Sequence, residues 1–271
     1  MDVKDFRHAK EKSYFAISSV FAVLIHICTL GIFYIIALIM AIPLWISQQI
    51  FKAQVFGHAV KVTEKQFPKI FEIIKKQKSE LRINKDIEVF IYNGQGIINA
   101  FAIRLFTGRY VILMSNLVDL MLKREAYPEL EFIIGHELAH HALMHTSLTR
   151  NLFLFPTKFI PFLNLAYSRG CEYSADRVGI ELTKHSKKSI RGLISITLGS
   201  EALADSMNIE EFVIQEKSVP AFFGFLANIF STHPRMTLRV KELLPLSDTI
   251  PENIVSEKKT VVYDESRYMP K

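Results

Sequence analysis

The sequence predicts an α+β protein: a mostly helical domain with a small three-stranded sheet, preceded by a long apolar N-terminal segment. Short β-rich runs bounded by turn residues fall between residues 87 and 114, and helical periodicity dominates the rest of the domain. Near the N-terminus, 39 consecutive residues lack Asp, Glu, Lys and Arg. We expect a charged tail at 1–12, one folded domain at 52–250 and a polar tail at 251–271.

The uncharged run, residues 13–51, predicts a transmembrane anchor. A spanning helix needs about 20 residues, so this run suits one generous span or a hairpin of two tight ones. Gly31 lies near its middle, and Tyr14 and Trp45 lie close to its ends, where amphipathic aromatic residues favour the membrane interface. We therefore expect an integral protein of a cell or inner membrane that contacts the lipid bilayer.

The charge pattern narrows the class of partners. The net charge is +6 at pH 7, and basic residues flank the apolar run on both sides. Elsewhere they are interleaved with acidic residues and lack the aromatic pattern of a nucleic-acid module, so DNA and RNA binding is excluded. Basic flanks instead favour anionic lipid headgroups. They are Lys4, Arg7, Lys10 and Lys12 before the run, and Lys52, Lys61, Lys65 and Lys69 after it.

Equal numbers of basic residues on the two sides do not choose an orientation for a single span. A hairpin with the Gly31 region as its distal turn would place both flanks in the cytoplasm. The two cysteines, Cys28 and Cys171, form no disulfide framework, which favours a reducing compartment. We therefore expect the folded domain to be cytoplasmic.

One five-residue motif carries the chemistry: His136-Glu137-Leu138-Ala139-His140. Four residues advance about 400° along an α-helix, so both imidazoles leave one face and suit two corners of a tetrahedral Zn²⁺ site. Glu137 points about 100° away and can reach a water at the metal, as the general base of HExxH zinc metallopeptidases does. The alternative is a helix with solvated or buried histidines.

The surrounding pattern predicts a half-buried helix from about Pro128 to His145. An apolar stripe at helical spacing supports it. His145 would then lie about 180° around the helix from His136, so we expect structural or surface roles for His145 and His141.

A third ligand is expected downstream, because a catalytic zinc needs three protein ligands and one open position. Glu172 and Asp176 are again four residues apart and would share a helical face. Glu172 would complete a His₂Glu site, and Asp176 could accept the distal N–H of a ligating histidine. The alternative is an ordinary solvated face, with His185 as the next candidate ligand. We expect the neighbouring Cys171 to pack in the core.

These motifs resemble those of the HtpX-like and CAAX prenyl protease group of gluzincin metallopeptidases. Asn99-Ala100-Phe101-Ala102 is similar to the group's strand upstream of the zinc helix, and Thr232-His233-Pro234 with Arg239 is similar to its C-terminal signature. The resemblance implies a zincin-like domain with Zn²⁺ as cofactor. It assigns zinc binding to His136, His140 and Glu172, catalysis to Glu137, and supporting roles to Asp176 and His233.

One segment departs from the HtpX proteins of that group, which have two strongly apolar spans after the zinc helix. Here residues 152–167 are short and interrupted by Pro156, Lys158 and Pro161. A helix of this length and composition does not cross a bilayer, so a four-span topology is not expected.

Two further segments are candidates for substrate contact. Residues Asn99–Phe106 read as an edge strand, to which an extended peptide could pair through its backbone; an ordinary sheet strand is the alternative. Residues Val219–Phe230 carry four phenylalanines and are expected to line the side-chain pocket or form a lid at the membrane surface. The alternative for this second segment is packing in the core.

The sequence thus predicts a membrane-anchored zinc endopeptidase that acts on unfolded or membrane-associated proteins in protein quality control. His233 is expected to donate a hydrogen bond to the oxyanion. Two alternatives stay open: a membrane-tethered binding or scaffold protein with a peptidase fold, and a processing protease for a specific lipidated substrate.

Overall fold

The structure is a computed structural model that describes residues 1–122, 126–160 and 162–246. The predicted polar tail at 251–271 and Pro161 lie outside the described residues. The described chain is mostly helical with one small sheet, as expected. Its strands are β1 (Val60–Lys61), β2 (Glu88–Tyr92), β3 (Ala100–Leu105) and β4 (Gly108–Met114). Its α-helices are α1 (Ala9–Cys28), α2 (Ile32–His58), α3 (Pro68–Glu80), α4 (Ser115–Leu122), α5 (Tyr127–Ala142), α6 (Leu148–Phe153), α7 (Leu163–Thr183), α8 (Ser186–Leu198), α9 (Glu201–Ser206), α10 (Ile209–Ile214), α11 (Ala221–Ile229) and α12 (Met236–Leu243).

The sheet has four strands in the described chain, so the prediction of three was wrong. The additional strand, β1, pairs Val60 with Ile91 of β2. Two residues in a lysine-rich stretch are too few to show an alternating pattern, so this strand was not predictable from the sequence. The strand order is β1-β2-β4-β3, with β2 parallel and β3 antiparallel to β4. Strand β3 therefore forms one edge.

Both faces of the central strand β4 are buried. Val111 and Leu113 point into the main core, which the sheet shares with the helices of the domain. Tyr110 and Ile112 point the other way and pack in a smaller cluster with Val55 near the end of α2. The end of the apolar N-terminal segment therefore covers the outer face of the sheet.

The apolar run forms two helices, α1 and α2, separated by a turn at Gly31. Gly31 has φ of +75°, a left-handed conformation that glycine adopts without strain. Helix α2 continues to His58, beyond the predicted limit of the anchor at residue 51. Both helices are long and apolar enough to cross a membrane. Helix α1 packs against α7 and the 3₁₀ turn Phe155–Phe159, whereas most side chains of α2 are exposed.

The segment after the zinc-motif helix forms no third long apolar helix within the described residues. It consists of α6, the 3₁₀ turn Phe155–Phe159 and the start of α7. Helix α11 exposes its phenylalanines, so core packing of Val219–Phe230 was the wrong alternative. The exposed side chains are Phe222, Phe223, Phe225 and Phe230.

Candidate metal centre and active site

Two packed helices bring the predicted site residues together. Helix α5 begins at Tyr127 with Pro128 in its first turn, where the missing N–H of proline leaves no helical hydrogen bond unmade. It carries His136 and Glu137 on buried positions and His140 on a half-buried one. Helix α7 packs against it and carries Glu172 and Asp176, both buried. The solvated charged face considered for Glu172 and Asp176 was therefore the wrong alternative.

Three donor groups converge on one point. The Nε2 atoms of His136 and His140 are 3.2 Å apart, and each lies 3.5 Å from an oxygen of Glu172. Tetrahedral zinc with bonds of 2.0–2.1 Å would place its ligand atoms about 3.3 Å from one another. The residues present therefore fit a His₂Glu zinc site, with the fourth corner free for water or substrate.

A buried ion pair stands behind His136. Oδ1 of Asp176 lies 2.9 Å from Nδ1 of His136. Asp176 also accepts two hydrogen bonds from Arg239 of α12, at 2.8 Å from Nε and 2.6 Å from Nη2. A carboxylate at the distal nitrogen of a ligating histidine fixes its tautomer and ring orientation, so Asp176 is placed to do this for His136.

The pKa shifts of the three donor groups show that this part of the cleft favours a bound positive charge. Burial lowers the pKa of His136, but its contacts with the carboxylates of Asp176 and Glu172 outweigh burial and raise the pKa to about 10. Burial favours a protonated Glu172, yet His136 and His140 hold the pKa of its carboxyl well below the usual range. Burial keeps the pKa of His140 well below its ordinary value. The site therefore stabilises one positive charge at its centre.

Glu137 lies beside the donors in the same cleft. Burial is the main cause that raises the pKa of Glu137, to about 7, although His136 opposes it. The backbone of Ala102 on the edge strand β3 lies close to the carboxylate and also opposes this rise in its pKa. A carboxylate with a pKa near neutrality is suited to take up and return a proton at physiological pH.

The cleft around these residues has a volume of about 620 Å³. Residues Asn99–Ala102 of the edge-strand region line one side, and His233 lines another. His233 is 63% exposed, and its Nε2 lies 3.6 Å from Glu172 Oε1. Helix α12 has Arg235 as its N-cap residue, so His233 does not cap that helix. Helix α11 contributes no residue to the lining within the described chain.

The end of α5 differs from the prediction, because the helix stops at Ala142 instead of His145. Met144 adopts a left-handed conformation with φ of +65°. The N–H of His145 bonds to the His140 carbonyl and that of Met144 to the His141 carbonyl, which is the Schellman pattern. The chain reverses here, so His145 folds back onto His140. The expectation that it lies half a turn away from the site was wrong.

A second group of donor atoms lies behind His140: Glu11, His145 and Cys171. Glu11 is fully buried on α1, and the side chain of His145 is 6% exposed. Cys171 packs with Ala22, Leu154 and Tyr167, as expected of a core cysteine. Burial raises the pKa of the Cys171 thiol to about 12, which keeps it protonated.

Other histidines have separate surroundings. His141 contacts the Tyr110 carbonyl at 3.1 Å and Thr146 at 2.9 Å, which agrees with the expected structural role. His185 precedes α8 and is not part of the cleft lining. Arg239 belongs to the C-terminal signature with Thr232-His233-Pro234, but its contact with Asp176 has no signal in the sequence. Glu11 gave no signal at all, because it lies more than a hundred residues from the motif in sequence.

Comparison with known proteins identifies the family. Two overlapping segments, residues 64–155 and 147–246, match the sequence profile of peptidase family M48 and together cover more than half of the chain. Neither a curated protein nor a solved structure matches the chain significantly. The match includes every candidate site residue on α5, α7 and α12, and it confirms the resemblance to HtpX-like and CAAX proteases. The chain therefore belongs to peptidase family M48.

Proposed function

We propose that this chain is a membrane-anchored zinc endopeptidase that cleaves unfolded or membrane-associated polypeptides in protein quality control. Membership of family M48 implies a membrane-associated metallopeptidase, and the family is generally zinc-dependent. The proposal adds the ligands, the base and the substrate class. The observation that supports it best is the set of three donors spaced 3.2–3.5 Å apart beside the buried Glu137.

The chemistry follows from the roles of the side chains. His136, His140 and Glu172 would hold zinc, which when bound supplies a Lewis acid that polarises the scissile carbonyl and acidifies water. Glu137 accepts the proton of the attacking water and later delivers it to the leaving amine. His233, exposed at the mouth of the cleft, donates a hydrogen bond to the oxyanion as charge develops there.

The position of the edge strand β3 beside the cleft favours an unfolded polypeptide as the substrate. One side of β3 pairs with β4, and residues 99–102 line the cleft on the other side. An extended peptide can bind such an edge through backbone hydrogen bonds, which demand no particular sequence. A folded protein does not present a free extended segment, so this mode of binding selects unfolded chains.

The N-terminal helices support action at a membrane. Helices α1 and α2 are both long enough for a span, and the ring of Phe33 on α2 contacts those of Phe155 and Phe159 in the domain. Phe162 contacts Phe230 at the end of α11, which extends this aromatic surface. The domain would thus lie against the helix pair on the cytoplasmic side, with its exposed phenylalanines facing the bilayer.

The decisive experiment measures zinc per chain and proteolysis on the full chain in detergent. The substrate is one protein offered both folded and chemically unfolded. Native protein should bind about one zinc per chain and cleave the unfolded form faster. Glu137→Gln should keep zinc but lose about 10²–10⁴-fold in rate, because only the base is removed. Glu131→Gln on the same helix is the matched control and should cleave normally.

The outcomes of this experiment separate the proposal from its alternatives. Zinc binding without cleavage of either form by native protein would favour a binding or scaffold protein or a processing protease for a specific lipidated substrate. Equal cleavage of folded and unfolded substrate would refute the substrate class and leave the peptidase. Glu137→Gln with more than about a tenth of native activity would exclude Glu137 as the base.

A further inference from the structure

A chain of contacts leads from His140 to the first helix. The Nδ1 atoms of His140 and His145 lie 3.0 Å apart. Nε2 of His145 in turn lies 3.2 Å from Oε1 of Glu11 on α1. That nitrogen is buried and makes no hydrogen bond in the described chain, so Glu11 lies close to it without forming one. A buried ring N–H needs an acceptor, and Glu11 is the carboxylate within reach.

One arrangement of protons satisfies all the contacts from His140 to Glu11. If His140 binds zinc through Nε2, its proton stays on Nδ1 and can be donated to Nδ1 of His145. His145 then carries its own proton on Nε2, which faces the carboxylate of Glu11. The second zinc histidine, His136, has the same kind of arrangement through Asp176.

The packing of α1 places Glu11 at this point. A Cβ on Gly170 of α7 would lie 2.7 Å from the backbone nitrogen of Glu11 and 2.8 Å from its Cα, so only glycine permits this approach. Arg7 also pairs with Glu11, and Arg150 lies 3.7 Å from it. Both arginines donate to the carbonyl of Leu143 at the end of α5, at 2.5 Å and 3.1 Å. These contacts hold the start of α1 against the end of α5.

A second metal site is the rival explanation for Glu11, His145 and Cys171. The charges argue against it, because Arg7 and Arg150 already neutralise Glu11 and would repel a cation. The Cys171 side chain also packs among Ala22, Leu154 and Tyr167. Two arginines around one carboxylate leave a hydrogen-bond acceptor at Glu11 but no cation site.

We infer that Glu11 is a positioning residue that orients the zinc ligand His140 through His145, so that helix α1 completes the metal site from behind. The inference rests on the proposed zinc site. It assigns the N-terminal helix a role in metal binding in addition to anchoring, because displacement of α1 would remove the acceptor at the end of the chain. Loss of such a partner behind a metal ligand typically weakens metal binding by about 10–100-fold.

The test is a double-mutant cycle on zinc affinity, measured by chelator competition with the full chain in detergent. The variants are Glu11→Gln, His145→Asn and the double variant. The control is Glu242→Gln. Glu242 contacts His8 at 2.7 Å, so it also holds the N-terminal segment against the domain. It is not one of the residues that connect His140 to Glu11. The visible spectrum of the Co²⁺-substituted protein reports ligand geometry independently of activity.

The expected result is a loss of about 10–100-fold in zinc affinity for Glu11→Gln, with a changed Co²⁺ spectrum. The double variant should bind no more weakly than His145→Asn alone, because both act through one chain. Glu242→Gln should bind zinc as the native protein does. If His145→Asn does not fold, Glu11→Gln with its control decides the question through affinity and spectrum.

Three results would overturn the inference. Native affinity and spectrum in Glu11→Gln would show that Glu11 does not act on the site. Additive losses in the double variant would show that it acts by another route. An equal loss of zinc affinity in Glu242→Gln would show that the effect comes only from the packing of the N-terminal segment on the domain. If the native protein bound no zinc, the proposed function would fail first and the inference with it.

Discussion

Arg239 on α12 donates two hydrogen bonds to the carboxylate of Asp176 on α7, at 2.8 Å and 2.6 Å, and both side chains are buried. The same carboxylate lies 2.9 Å from Nδ1 of His136. The positive guanidinium keeps the pKa of Asp176 below its ordinary value against the effect of burial. Asp176 therefore remains an ionised acceptor for His136, held in place by a helix that contributes no zinc ligand.

Asp176→Asn should weaken zinc binding by about 10–100-fold, because the amide cannot hold both Arg239 and the imidazole N–H as the carboxylate does. Zinc affinity by chelator competition measures the effect. Glu181→Gln, on a half-buried part of the same helix away from the site, is the control and should bind zinc normally. Native affinity in Asp176→Asn would remove Asp176 from the site.

His233→Ala should lower kcat more than it raises KM, because a donor to the oxyanion acts mainly in the transition state. The measurement is steady-state cleavage of an unfolded substrate with zinc content checked in parallel. His185→Ala removes another histidine that lies outside the cleft lining and should leave both constants unchanged. A change in KM alone would instead assign His233 to substrate binding.

Zinc binding by the Glu137→Gln variant should release about one proton per chain at about pH 6, below the range in which water on zinc ionises. The variant is needed because Glu137, with its pKa raised to about 7, would release a second proton in the native protein. The pKa of His136 is raised to about 10, so this ring must lose a proton to bind metal. His140 is already neutral and Glu172 already ionised. Affinity should therefore rise with pH. Calorimetry in buffers of different ionisation enthalpy counts the protons, and zero release would mean that His136 is neutral before zinc binds.

Met144→Gly should raise the free energy of unfolding by roughly 0.5–1 kcal/mol, because Met144 occupies the left-handed position of a Schellman motif, where a side chain is unfavourable. Thermal unfolding measures it. Lys76→Gly in the middle of α3 is the opposite control and should destabilise the protein. A lower melting temperature for Met144→Gly would contradict the turn that brings His145 back to His140.

Both ends of the N-terminal helix pair should lie in the cytoplasm. In a Cys28→Ser background, an impermeant maleimide should label Asp5→Cys and Lys76→Cys from the cytoplasmic side and Leu30→Cys from the opposite side. Cys171 is buried and should stay unlabelled. Labelling of positions 5 and 76 from opposite sides would establish a single span and refute the hairpin.

The local elements were predictable from the sequence because their signals are local. The spacing of His136 and His140 along one helix, and of Glu172 and Asp176 along another, fixes which side chains share a face. Strands β2, β3 and β4 showed their β-rich composition directly. The long uncharged run and the break at Gly31 were also readable from composition alone.

Strand β1 and the end of α5 were not predictable in the same way. A pair of residues becomes a strand only when Ile91 and Phe90 offer a free edge. Helix α5 stops where Met144 turns left-handed, and no residue with a strong preference for that conformation marks the position.

The sequence by itself determined the family motifs, the helices that carry them and the apolar anchor, since each depends on residues within a few turns of one another. Only the tertiary structure decided that Arg239 holds Asp176 and that Glu11 stands behind His145. These contacts join residues more than sixty and more than a hundred positions apart. The physical reason is that such pairs form through helix packing, and a single sequence carries no periodic signal for the partner across an interface.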